Sequence, residues 1–483
     1  MIRFLMDGTV HCLEDFDPTC TVLEWLRDMA AKTGTKEGCA EGDCGACTVV
    51  IGELFGAQVR YRAVNACIYF LPMLNGKELV TVEALSQKGH LHPVQQAMAE
   101  GNGTQCGFCT PGFIMSLFAR YQASNTTLPQ AIDDVLAGNL CRCTGYRPIQ
   151  DAAAALTPTR DVQARFGGLE TVAALRSIAP DRDTDGRFAD PLFEAERHWA
   201  RPISETALAD MLQARPGATL VAGATDVGVW VTKHHRRLDT VICLDGIDSL
   251  KKMECDADGL HVGAMVSYSD AMGCLADLHP DLGELIRRIG SVQVRNSGTI
   301  GGNIANGSPI GDMPPALIAL GAELELASQT GSRRLALEDF FIDYGKQDLR
   351  AGEYLRAVHI PPLKANWLFR AYKISKRFSQ DISALCGAFA LDIGDGHVHA
   401  ARIAYGGMAA TPKRAAACEA ALTRQTWDQD TVEQAAKALS EDFTPVSDMR
   451  ASAEYRLTVA QNLLRKVWLE SQASGRTRIL QEH

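Results

Sequence analysis

Eight of the fifteen cysteines fall into two sets whose spacing gathers sulfur. The first set is Cys39, Cys44 and Cys47, in Glu37-Gly38-Cys39-Ala40-Glu41-Gly42-Asp43-Cys44-Gly45-Ala46-Cys47, with Cys67 further along the chain. The second is the pair Cys106 and Cys109 with the pair Cys141 and Cys143. A C-x2-C turn lets two sulfurs converge on one metal, whereas a C-x-C pair joins them only if the backbone loops around the site. Taken alone, the second set suits zinc or an iron–sulfur cluster. The first set narrows the choice, because C-x4-C-x2-C with a distant fourth cysteine is the plant-type [2Fe–2S] spacing. Gly38, Gly42 and Gly45 let such a loop wrap a cluster with backbone N–H groups aimed at sulfur. Two four-cysteine sets in one chain read as two [2Fe–2S] clusters.

These ligands need elements to position them. Ile2–Met6 and residues 10–13 read as a hairpin turning at Asp7-Gly8. Residues 21–30 read as a helix with Leu23, Leu26 and Met29 on one face. A strand at 48–51, another ending near Cys67, and 81–85 complete a first fold, and 92–99 opens a helical one. His92 is expected to start that helix rather than to bind metal. Pro111 opens an amphipathic helix in which its missing N–H costs nothing. Thr127 caps a second helix, 128–137, which Gly138 ends. Both cysteine pairs of the second set then lie at helix ends that must meet.

Two small-residue stretches point to a bound anion. Thr219-Leu220-Val221-Ala222-Gly223-Ala224-Thr225-Asp226 runs from a strand through a turn towards a helix, the arrangement that brings N–H groups against phosphate. It is not G-x-G-x-x-G, so a Rossmann dinucleotide site is not supported. Thr299-Ile300-Gly301-Gly302-Asn303, with Asp312 beyond it, offers close backbone approach, hydroxyl and amide groups, and Gly301 is expected at positive φ. Either stretch by itself also fits an ordinary glycine-rich turn.

With 483 residues the expectation is three or four domains. A net charge of −10 argues against a nucleic-acid surface. The first residues lack the apolar core of a signal peptide, and no apolar run is long enough for a membrane span. Cysteines in such a chain read as metal ligands and reduced thiols, which suggests the cytoplasm. The seven without a motif (Cys12, Cys20, Cys243, Cys255, Cys274, Cys386 and Cys418) read as small buried hydrophobes. Residues 157–195, rich in proline, glycine and charge, read as a partly extended linker. Beyond about 370, strands at 388–391 and 398–405 and helices at 413–423, 430–439 and 450–471 form a last domain, with Arg377 and Asp381 as a surface ion pair.

Together these motifs resemble the molybdenum hydroxylases, the xanthine dehydrogenase and aldehyde oxidase family. The resemblance implies an α+β multidomain chain: a β-grasp [2Fe–2S] ferredoxin domain (1–86), a four-helix [2Fe–2S] domain (87–156), the linker (157–195), a vanillyl-alcohol-oxidase-type FAD-binding domain (196–367) and an α+β C-terminal flavoprotein domain (368–483). It gives FAD to Thr219 through Asp226, to Thr299 through Asn303 and to Asp312, and adds Leu355 and Lys373 as residues lining the flavin. Ile289 stands where vertebrate members carry an aromatic ring beside the flavin. Gln105 matches a glutamine that lies against the pterin in the family. The resemblance further implies a split enzyme, with this chain as its electron-transfer subunit and a molybdenum-cofactor-binding large subunit as partner, in a heterotetramer of two small and two large subunits. Electrons would pass from molybdenum through the two clusters to FAD and then NAD+. Hypoxanthine and xanthine oxidation to urate is favoured. The corresponding subunit of an aldehyde or N-heterocycle dehydrogenase, and a stand-alone iron–sulfur flavoprotein carrier, are the alternatives.

Overall fold

A computed structural model describes residues 1–123, 131–157, 165–191 and 193–472. The chain divides into two compact units: residues 1–249, 267–269 and 290–299 form the first, and 250–266, 270–289 and 300 onward the second.

In the first unit, Ile2–Met6 pairs antiparallel with Thr9–Leu13, and Asp7 and Gly8 both take positive φ in the turn between them. That backbone suits a two-residue hairpin between strands of right-handed twist. Ile2–Met6 also pairs in parallel with Glu78–Val80, which pairs with Thr48–Phe55, whose outer neighbour is Gln58–Asn65. Thr21 opens the helix that lies against this sheet. Its hydroxyl accepts from the Glu24 N–H at 3.2 Å, and the Glu24 carboxylate accepts from the Thr21 N–H at 2.8 Å. After one α-turn the helix widens, the Ala30 N–H reaching back to the Trp25 carbonyl at 2.9 Å. The wider π-turn rotates the last residues of the helix about its axis. Leu23 and Leu26 are buried as expected, but Met29 is exposed.

His92 caps the helix Pro93–Glu100, its Nδ1 accepting from the Val94 N–H at 3.2 Å. Burial and the nearby Arg165 lower its pKa from 6.5 to about 4. Its unfolded form therefore takes up a proton first as pH falls, so the stability that neutral His92 contributes is full above pH 6.5 and is lost on the way to pH 4. The loss is at most about 3 kcal/mol. Urea unfolding between those limits is expected to show this slope in the wild type and not in His92→Asn, which keeps a capping side chain. Equal slopes would show that His92 does not titrate in this way.

The helix Thr110–Ala123 is buried on every side from Gly112 to Ala119, not amphipathic. It packs against Thr48–Phe55 and Gln58–Asn65 and against the neighbouring helices, so it has no solvent face to keep polar. The next helix is Ile132–Leu136, and the expected cap Thr127 lies outside the described residues. The stretch expected as a linker is built into the unit. Leu169–Ile178 is a helix whose Leu175 and Ile178 bury against Leu5. Thr184–Asp190 is the edge strand of a sheet that continues through Ala195–Arg201, Thr240–Cys243 and Thr219–Val221. Asp185 and Arg187 point outward, a pattern an edge strand tolerates, while Asp190 is buried 3.8 Å from Arg197. One apolar cluster joins the two sheets, with Phe16 and Trp199 rings 5.4 Å apart. Beside it Lys77 is buried 2.9 Å from both Glu53 and Asp245, and Arg201 holds Asp245 at 3.0 Å.

In the second unit a five-stranded antiparallel sheet runs Met253–Asp256, Gly259–Gly263, Tyr354–Ile360, Glu323–Ser328, Gly331–Ala336. A second antiparallel sheet runs Trp367–Ile374, Leu385–Gly394, His397–Gly406, Lys413–Arg414, with Ala416–Leu422, Gln429–Asp442 and Ala453–Gln472 sharing its core. Arg377 and Asp381 stand 3.8 Å apart at the surface, as expected. Of the seven cysteines without a motif, Cys243, Cys386 and Cys418 are buried and Cys20 partly so, but Cys12, Cys255 and Cys274 are exposed. Cys12 and Cys255 lie on edge strands, where alternate side chains meet water. Among the described residues no helix is long and apolar enough to cross a membrane.

Candidate redox centres

The loop between the helix of Thr21 and strand Thr48–Phe55 brings the first four thiols together. Cys39 hydrogen-bonds both Cys44 and Cys67, and Cys47 bonds Cys67. Three backbone N–H groups, from Glu41, Asp43 and Cys44, point at the Cys39 sulfur at 3.3–3.4 Å, and the Cys39 N–H points at Cys44. The bonds from Cys44 and Cys67 hold the Cys39 thiol well below its ordinary pKa, the state a metal ligand needs. Gly38 leaves room for sulfur, since a Cβ there would lie 2.7 Å from Cys44 Sγ.

The second set assembles between helices, as its spacing requires. Cys109 bonds Cys141, and Cys143 bonds Cys106. Burial, reinforced by Cys141, pushes the Cys109 thiol up to about 12. Burial also raises Cys141, but the Thr144 hydroxyl and N–H, 3.1 and 3.4 Å from its sulfur, outweigh that and lower it. Cys106, Cys143 and Gln105 are exposed. Among the described residues no three His, Cys, Asp or Glu side chains converge as ligands of a single ion. Cys39 lies close to both Cys44 and Cys67, Cys47 to Cys67, Cys106 to Cys143 and Cys109 to Cys141.

Sequence reasoning missed what joins the two sets. The Leu140 N–H donates to the Cys44 carbonyl at 3.0 Å, so one hydrogen bond links a ligand of the first set to the residue before Cys141. A buried polar knot holds this contact. Asn139 Nδ2 donates to the Gly45 carbonyl at 3.0 Å, Ser116 donates to Asn139 at 2.6 Å, and Gln293 Nε2 lies 3.0–3.2 Å from Ser116, Thr48 and Asn139. No spacing rule in the sequence marks Asn139, Ser116 or Gln293. Contacts also lead from the first set to the Thr219–Asp226 turn. Thr232 Oγ1, on the helix Val227–Thr232 just after the turn, donates to the Ala40 carbonyl at 2.7 Å, and Gly228 packs against Ile68, next to Cys67.

Within the first unit the turn has the form expected of an anion loop. Thr219–Val221 is a strand, Ala224 takes φ +60°, and Asp226 is exposed where the helix begins. A Cβ on Gly223 would lie 1.8 Å from the Ser297 carbonyl, so within this unit the turn packs directly on the backbone at residue 297. Thr299 is buried.

In the second unit Ile300–Asn306 is a helix rather than a loop. The N–H groups of Ile300 and Gly301 are taken by the Val266 and Ala264 carbonyls, at 3.0 and 3.1 Å. Gly301 does not have positive φ. What demands glycine is Ala264, whose Cβ and carbonyl oxygen would lie 2.5 and 2.6 Å from an added Cβ. Asn303 Oδ1 is buried with no partner, an acceptor suited to a donor on a bound cofactor. Leu355 is buried opposite Leu326. Asp312 and Lys373 hold each other, Nζ to Oδ2 2.5 Å, and the Ser383 hydroxyl takes the other oxygen at 2.5 Å. Both Asp312 oxygens thus have protein donors, and Asp312 holds Lys373 in place. Ile289 is half-buried. Gly301→Val is expected to displace the helix at a cost of about 2–4 kcal/mol and to lower FAD content while iron content stays. Unchanged flavin per chain would remove this helix from the cofactor site.

Residues 193–363 match the family described as FAD binding domain in molybdopterin dehydrogenase, 370–471 the CO dehydrogenase flavoprotein C-terminal domain, and 81–154 the [2Fe-2S] binding domain. Xanthine dehydrogenase of Emericella nidulans is 32% identical over 92% of this chain, and xanthine dehydrogenase 1 of Arabidopsis thaliana 30% over 97%. The chain belongs to the molybdenum hydroxylase family. It spans 36% and 39% of the length of those two relatives. Among solved members of the family, carbon monoxide dehydrogenase from Hydrogenophaga pseudoflava superposes with a TM-score of 0.53 at 27% identity. Quinoline 2-oxidoreductase from Pseudomonas putida 86 does so at 0.52 and 28%. Each match covers 56% of this chain and 94% of the solved one. FAD and [2Fe–2S] are the cofactors these domains call for, and they suit the chain to electron transfer within a molybdenum hydroxylase.

Proposed function

We propose that this chain is the iron–sulfur/FAD subunit of a xanthine dehydrogenase. It receives electrons from a molybdenum centre on a partner large subunit and passes them to NAD+. Cys106, Cys109, Cys141 and Cys143 hold the entry cluster, Cys39, Cys44, Cys47 and Cys67 the inner one, and the Thr219–Asp226 turn belongs to the FAD site. The observation that carries this order is the line of contacts in the first unit: Cys141 adjoins Leu140, Leu140 bonds Cys44, and the loop of Cys39 meets the helix after the turn at Ala40 and Thr232. The exposed Cys106, Cys143 and Gln105 give the entry set an outward edge.

FAD supplies the exchange between single electrons and a hydride. This chain's own residues fix the spacing. The N–H groups on Cys39 favour its thiolate, and Asn139, Ser116 and Gln293 keep the two cysteine loops in register. The xanthine dehydrogenase names of the relatives favour a purine substrate. That molybdenum is carried on a separate partner is the part of the proposal that co-purification tests. The likeness to quinoline 2-oxidoreductase favours an N-heterocycle dehydrogenase as the second reading. Native purification with metal and flavin analysis, and with purines, aldehydes and quinoline tested against NAD+ and O2, decides between them. A molybdenum-containing partner and purine-dependent NAD+ reduction are expected. Iron and flavin without any molybdenum partner would leave a stand-alone carrier.

A further inference from the structure

The loop from Cys141 to Tyr146 holds a side-chain hydroxyl against a cysteine sulfur. Thr144 Oγ1 lies 3.1 Å from Cys141 Sγ, and the Thr144 N–H points at the same sulfur at 3.4 Å. Tyr146 fixes that hydroxyl from the other side, its N–H donating to Thr144 Oγ1 at 3.1 Å. The Tyr146 phenol closes the loop by accepting from the Cys141 N–H at 2.9 Å. To make both contacts Tyr146 adopts φ +68°, a conformation that a bulky side chain enters only at a cost.

These bonds fix where the Thr144 proton goes. A thiolate that ligates metal has lost its proton and can only accept. The Thr144 oxygen already accepts from Tyr146, so its own hydrogen is free to turn to the Cys141 sulfur. In the other set the donors on Cys39 are backbone N–H groups, which no side-chain change removes. At Cys141 one donor is a side chain. Reducing a cluster adds negative charge that is shared with its sulfurs. A hydrogen bond to a ligand sulfur therefore favours the reduced form and raises the potential.

We infer that Thr144 sets the reduction potential of the entry cluster, its hydroxyl donating to the Cys141 sulfur and Tyr146 holding it in that orientation. This rests on the reading of Cys106, Cys109, Cys141 and Cys143 as a [2Fe–2S] site. Thr144 binds no iron itself and acts through Cys141. A raised potential makes the entry cluster a readier acceptor for electrons arriving from the partner.

A redox titration followed by electron paramagnetic resonance, on the full chain with its clusters and FAD in place, reads both clusters in one sample. The signal that Cys106→Ser removes marks the entry cluster, and the inner cluster is the internal control. Thr144→Val keeps the shape and the N–H but deletes the hydroxyl. It is expected to move the entry cluster's reduction equilibrium about tenfold towards the oxidised form, about 59 mV for one electron. Iron content and the inner cluster's potential should not change. Thr144→Ser restores a hydroxyl and should recover most of the shift. An entry potential unmoved in Thr144→Val, a shift shared equally by both clusters, or a serine variant as displaced as the valine one would overturn the inference. So would loss of the entry cluster's iron in Thr144→Val, which would make the hydroxyl a requirement for assembly instead. A wild type without two cluster signals would defeat the iron–sulfur reading itself, a failure distinct from these.

Discussion

Gly45→Ala is expected to destabilise the chain by about 3–5 kcal/mol and to release iron from both cysteine sets. A Cβ at this position would lie 2.0 Å from the Gly138 carbonyl and 2.6 Å from Asn139 Nδ2, and the backbone there has φ +69°. Neither neighbour is a flexible tip. Asn139 is fixed by Ser116 and Gln293, and Gly138 lies against Gln293. The loop must move as a whole, which pulls the Cys44 carbonyl from the Leu140 N–H and breaks the register between the sets. Gly56→Ala is the control, because Gly56 has φ +61° with nothing within 4 Å of an added Cβ. It should cost only the conformational penalty, about 1 kcal/mol, and leave iron content alone. Denaturant unfolding with iron analysis measures both. Equal losses would mean that backbone conformation, not the crowded contact, is what Gly45 supplies.

Cys106→Ser is expected to remove the entry cluster alone. A hydroxyl replaces a thiolate poorly on iron, and Cys106 is exposed, so the change leaves no cavity in a core. Iron should fall from about four to about two per chain with FAD retained. In the complex with the molybdenum partner, purine-dependent NAD+ reduction should drop on the order of a hundredfold or more, since every electron must cross the missing centre. NADH-to-dye activity should persist, because it draws only on the flavin side. Loss of both activities at full FAD content would contradict the order of centres.

Much of the molecule was legible in its residue types. All eight cysteines lie where their spacing brings sulfur together, because most of them sit on local loops whose turns demand particular residues. The Asp7-Gly8 hairpin and the helix start at His92 come equally from short-range chemistry. Features set by what packs on top were not legible. Helix Thr110–Ala123 is enclosed on all sides, the edge strand Thr184–Asp190 reads as polar linker, and a π-turn puts Met29 in water. Gly301 was legible as a required glycine but not for its reason, which is Ala264, far away in sequence. Asn139, Ser116 and Gln293 carry no motif, since buried amides and hydroxyls become a network only once three distant segments meet.

Two iron–sulfur centres in contact through Cys44 and Leu140 are the centre of the proposed electron path. Electron paramagnetic resonance of the freshly isolated, dithionite-reduced chain tests them most directly. Two distinct [2Fe–2S] signals are expected, with about four irons per chain, and broadening from coupling between the two spins. A single signal, or zinc in place of iron, would contradict this assignment.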